Sequence, residues 1–173
     1  MGNGRAGLFE KGYTLIIKIN LLEKMMAILS QPSDIQVLLM LSTNDVKGGG
    51  RIPMDARLLI RFLNAPDYFL GMQIQISMNS VQGTFYPYLY CVLIAKREMT
   101  LFEKGTQWIH QTPSKIVFEK KRLEDVEVLV IHQKTTRNSG YHTNLKAADR
   151  IVQTSLDLAR KLLKGCQPND DSS

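Results

Sequence analysis

The chain is poor in the residues that build metal, redox and nucleophilic chemistry. It holds two cysteines and three histidines among 173 residues. Cys91 lies in an apolar stretch and Cys166 in a polar tail. They make no disulfide framework, and a reduced, cytoplasmic protein is expected. His110, His132 and His142 lack the His-Glu-x-x-His spacing of a zinc helix, so neither a metal nor a cofactor is expected. No Gly-x-Ser-x-Gly elbow occurs. Gly48-Gly49-Gly50-Arg51 is not followed by Gly-Lys-Ser/Thr, so it reads as a flexible connection rather than a phosphate loop. The longest apolar runs, Leu38–Leu41 and Leu89–Ala95, fall far short of the roughly 20 residues of a spanning helix. No membrane partner is expected. The first residues lack the apolar stretch of a signal peptide, and Ala6 stands where a myristoylation signal has Ser or Thr.

What is present is ordinary globular composition, 44% apolar and 22% charged. The expectation is one α+β domain over residues 1–165 with a loose tail over 166–173. The net charge of +6 is uneven: residues 96–165 carry fourteen Lys/Arg against eight Asp/Glu. A basic half suits an anionic partner such as nucleic acid, although its mixed signs also suit a plain solvated surface.

Periodicity and punctuation give the elements. A helix ending at Leu29 is expected from Asn20 at least, with Asn20 capping and Glu23 three residues on. Leu15–Ile19 fits either helix or strand. Ile35–Leu41 is too apolar for an exposed edge and reads as a buried strand. After a glycine loop over Asn44–Arg51, Pro53 opens a helix over Met54–Asn64 with Leu58, Leu59, Phe62 and Leu63 on its stripe. Glu98–Pro113 has no clear pattern. Lys115–Phe118 and Val126–Gln133 read as strands, the second alternating Val126, Val128 and Val130 with Leu129 and Ile131. A long C-terminal amphipathic helix carries Leu145, Ala148, Val152, Leu156, Ala159 and Leu163, is capped by Thr143 or Asn144, and stops at Gly165. The whole predicts an antiparallel or mixed sheet of about five strands covered by helices on one side.

The sharpest pattern is a hairpin of Met72–Asn79 with Thr84–Lys96. A four-residue connection, Ser80–Gly83, sets Asn79 opposite Thr84. One face is then Met72, Ile74, Ile76 and Met78 against Cys91, Leu89, Pro87 and Phe85, which belongs in a core. The other is Gln73, Gln75 and Ser77 against Tyr90, Tyr88 and Tyr86, a phenol-and-amide surface suited to a ligand, a partner, or the underside of a helix. Pro87 lacks a ladder donor, so its flank is an edge or a bulge; a helix from Pro87 to Gly105 is the rival reading.

The second candidate surface is Thr135–Thr143, between a strand and the last helix. Arg137, Ser139, Gly140, Tyr141, His142 and Thr143 combine hydroxyls, a cation, a glycine and free helix-start amides, which suits an anion. The alternative is a turn whose hydroxyls satisfy its own backbone. Gln73, Gln75, Tyr86, Tyr88 and Tyr90 with these turn residues are therefore the expected binding residues. The function expected is a non-catalytic binding domain, with single-stranded nucleic acid or another anionic ligand as partner. A homo-oligomer through the tyrosine face and a small enzyme using His142 as acid or base are the alternatives.

Overall fold

A computed structural model of the chain describes residues 3–30, 32–109, 115–135 and 142–165, with side chains from Phe9 onward. Helix α1 spans Asn3–Leu29. Its buried side chains, Leu15, Leu21, Leu22, Met25 and Leu29, fall on one side at helical spacing, so Leu15–Ile19 is helix rather than strand. Asn20 sits inside the helix and is exposed, which overturns its expected role as cap. Phe9, Tyr13 and Ile16 form a second, exposed stripe on the N-terminal half of α1.

Strands β1 (Ile35–Val46) and β2 (Gly50–Phe62) follow as a long hairpin. Gly48 and Gly49, at φ +108° and +81°, make the turn that other residues would resist. The expected helix over Met54–Asn64 is therefore wrong. Ala56, Leu58, Ile60 and Phe62 are buried on one side, Arg57, Leu59 and Arg61 lie on the other, and Leu63 is 61% exposed. That is a period of two. The doublet Leu58-Leu59 fits either period. Pairing with β1 decided the matter, because helix propensity is a weak local preference that tertiary pairing overrides.

Strands β3 (Phe69–Val81) and β4 (Thr84–Lys96) form the expected hairpin with its register moved by two residues. Val81, not Asn79, faces Thr84. The turn has only two residues, Gln82 and Gly83, both left-handed at φ 50° and 79°. This twisted two-residue turn matches the strand twist better than four residues do. A shift of two leaves every side chain on its predicted face. Near the start of β3, Gly71 has φ +114°, and a β-carbon there would lie 2.8 Å from the Ile60 carbonyl oxygen. Only glycine allows β2 and β3 to approach so closely.

After a 3-10 turn over Arg97–Met99 come α2 (Leu101–Ile109), β5 (Ile116–Leu123), β6 (Val126–Gln133) and α3 (Leu145–Lys164). The described strands make one antiparallel sheet in the order β1-β2-β3-β4-β6-β5. It has six strands rather than about five, the sixth being β2. Asn144 is the N-cap of α3, its side chain accepting the Ala147 N–H at 2.9 Å, and Gly165 ends the helix. Of the stripe predicted for α3, Leu145 is exposed, while Ile151, Leu158 and Leu162 join the buried face.

The three described helices cover the same face of the sheet. Leu22 and Met25 of α1, Leu101 of α2 and Val152 and Leu156 of α3 share one buried cluster with Leu58, Ile74, Leu89, Cys91 and Ile131 of the strands. Each such fully buried Leu or Ile contributes roughly 1.5–3 kcal/mol. No helix among the described residues is long and apolar enough to cross a membrane.

Candidate functional site

The opposite face of the sheet is uncovered by any described helix, and the tyrosine and glutamine side chains stand at its centre. One row across it reads Gln75, Tyr90, His132, Val117. The next reads Leu59, Gln73, Val92, Val130, Glu119. Ile94, Val128 and Lys121 make a third. Val92 and Val128 are 7% exposed yet stand apart from the main buried cluster. They form a small apolar floor beneath the polar groups.

Those polar groups are tied into two lines. In the first, Tyr90 Oη donates to Gln75 Oε1 at 3.0 Å, Gln75 Nε2 donates to Gln73 Oε1 at 2.7 Å, and Arg57 Nη1 approaches the same oxygen at 3.4 Å. In the second, Tyr88 Oη lies 2.6 Å from His132 Nδ1, and His132 Nε2 lies 3.2 Å from Glu119 Oε1. Nε2–H can donate to Glu119, while Nδ1 also lies 2.9 Å from the Gln133 carbonyl oxygen, so the tautomer decides whether Nδ1 accepts from the Tyr88 hydroxyl or donates to that carbonyl. The Gln133 carbonyl oxygen is also within reach of Tyr88 Oη, at 3.2 Å. Arg57 and Arg61 of β2, Lys96 of β4 and Lys121 of β5 share this side of their strands with the acid Glu119, while Asp55, two residues before Arg57, is paired with Lys18 of α1 at 2.6 Å. The face is basic around an aromatic centre.

Two residues of the second expected surface, His142 and Thr143, reach one corner of this face. The ring of His142 packs edge-on against Tyr86 at 5.6 Å between centroids, and the His142 carbonyl accepts from Gln133 Nε2 at 2.9 Å. Thr143 plays a different part from the one expected. It is buried, its N–H donates to the Pro87 carbonyl at 2.8 Å, and its Oγ1 accepts the Leu89 N–H at 3.0 Å. A strand residue points its N and its C=O to the same side, so Pro87 turns its missing donor away from β3 and past the end of β6. The flank is an edge, closed by Thr143. Arg137, Ser139, Gly140 and Tyr141 lie outside the described residues.

Comparison of the chain with protein-family models, curated proteins and solved structures gives no match. The site therefore has to be read from its own chemistry.

His132 and Glu119, with Arg57 and Arg61, are residues of the face that sequence reasoning did not single out. The alternation Val126, Val128, Val130 leads to His132, but without the pairing of β6 to β4 nothing connects it to the tyrosines. Cys91 is no nucleophile: burial pushes its thiol up to about 12, against a smaller opposing effect of the Ser155 hydroxyl beside it. Among the described residues no cluster of His, Cys, Asp and Glu has the makings of a metal site. Glu127 is 5% exposed and serves the fold, accepting the Phe102 N–H at the start of α2 and pairing with Arg122 at 2.7 Å. A cavity of about 550 Å³ between α2 and α3 gathers Lys104, Trp108, Lys161 and Lys164. Lys161 Nζ stands 4.9 Å from the Trp108 ring centre there. Lys161 and Lys164 sit in the last turn of α3, where the backbone dipole already favours them, whereas Lys104 lies in the first half of α2.

Proposed function

We propose that the chain is a binding domain that takes single-stranded nucleic acid on the uncovered sheet face. The observation that supports this reading best is the coincidence of three tyrosines, two glutamines and His132 with Arg57 and Arg61 on one uncovered surface. Aromatic rings offer a stacking partner to any base, amides offer hydrogen bonds, and cations beside them meet phosphate. Tyr88 and Tyr90 are already held by His132 and Gln75. Ordering them therefore costs little on binding. A catalytic reading centred on His142 has less support, since its described contacts are an edge-on ring contact with Tyr86 and a bond from Gln133 to its backbone carbonyl, neither of which engages the imidazole nitrogens.

Fluorescence anisotropy of a labelled single-stranded oligonucleotide tests the proposal. Binding should weaken steeply with salt, because phosphate contacts release counterions. Tyr90→Ala should weaken it further by about tenfold or more, since stacking on one base is worth roughly 1–3 kcal/mol. Absence of binding at low salt, or equal binding by Tyr90→Ala, contradicts it.

A further inference from the structure

We propose that the chain forms a homodimer through the free edge of β1, two copies pairing antiparallel into one continuous sheet. This interface is separate from the open face and does not depend on what that face binds. Strand β1 lies at one end of the sheet order. Its composition is that of an interior strand: Val37, Leu39 and Leu41 line the helix side, Leu38 and Met40 the open side, and Asp45 is its one charge. As an edge it leaves Leu39 44%, Met40 39% and Leu41 52% exposed. Free edges are normally guarded by lysine, proline or a short strand. The other edge is guarded so, with Glu119, Lys120, Lys121 and Arg122 along β5. β1 has twelve residues and none of these devices. Ile35–Leu41 is a strand as expected but stands at the edge of the sheet rather than buried, with Ile35 the one buried side chain of β1.

A second copy fits because β1 is complementary to itself. Antiparallel partners must share a face, which restricts the two-fold to a residue centre. Centred on Met40, the pairing sets Leu39 against Leu41 of the second copy, Val37 against Thr43, and Gln36 against Asn44. Apolar thus meets apolar and amide meets amide, and Asp45 faces Ile35 rather than its own mate. Centred on Leu41, Gln36 would face Val46 and Val37 would face Asp45. The irregularity in the β1–β2 ladder leaves an extra residue, Met54, on β2, so β1 itself stays regular. Each copy keeps its open face on the same side of the joined sheet. One strand pair is a small interface, at the low end below roughly 1,200 Å², so the dimer should depend on concentration.

Sedimentation velocity over a concentration series tests this. The expected result is a monomer–dimer equilibrium that Leu41→Lys weakens by at least about tenfold, with unchanged circular dichroism. Met40→Cys in a Cys166→Ser background should cross-link to a dimer under mild oxidation, because residues opposite one another on paired strands are within disulfide reach. Leu123→Cys on β5 in the same background should not. A chain that stays monomeric throughout overturns the proposal and leaves the edge to a different protein. A dimer indifferent to Leu41→Lys, or no Met40→Cys cross-link, overturns it as well.

Discussion

Tyr88 Oη stands 2.6 Å from His132 Nδ1, and the far nitrogen of that ring stands 3.2 Å from Glu119. The line runs across β4, β6 and β5, which are three neighbouring strands of the sheet. It holds the Tyr88 ring in one orientation on the open face. Tyr88→Phe should cost about 0.5–1.5 kcal/mol in urea unfolding, the usual worth of one hydrogen bond. Combined with Glu119→Gln, the two losses should fail to add, because both act through the same imidazole. Additive losses would show the line to be two unrelated contacts.

Thr143 closes the flank of β4 that β6 leaves unpaired. Thr143→Val keeps the shape and the backbone bond to Pro87 but removes the acceptor of the buried Leu89 N–H. An unsatisfied buried donor costs about 1–3 kcal/mol, so the urea midpoint should fall accordingly. Thr143→Ser, which keeps the hydroxyl, should lose less.

Arg160 of α3 clamps Asp34, just before β1, through two bonds of 2.8 and 2.9 Å. That hydrogen bonding, ahead of the charge attraction, holds the Asp34 carboxyl below the usual carboxylate range. A carboxyl lowered on folding stabilises above its unfolded value, about 3.9, and loses that contribution as pH falls through the folded value. Stability measured from pH 6 downward should therefore fall less steeply in Asp34→Asn than in the parent. Asp34 is half exposed, so the difference should shrink in high salt.

Much of this was legible in the chain. The two faces of the β3–β4 hairpin follow from strict alternation, which survives a register error of two residues. The ends of α3 follow from Asn144 and Gly165. β2 was hidden because Leu58-Leu59 and Phe62-Leu63 imitate a helical stripe behind a proline, while the true signal, Ala56 to Phe62 at every second residue, is as strong only once β1 is its neighbour. The site was half legible for the same reason. Tyr86, Tyr88 and Tyr90 announce themselves within one strand, whereas His132, Glu119 and Arg57 reach them only through pairing between distant segments.

The central claim is that ligand meets the uncovered sheet face. The most direct measurement is an amide chemical-shift titration of the labelled protein with a short single-stranded oligonucleotide. The account predicts shifts concentrated on Arg57, Gln73, Gln75, Tyr88, Tyr90 and His132, with α1 and α3 unmoved. Shifts confined to Lys104, Trp108, Lys161 and Lys164 between α2 and α3 would contradict it.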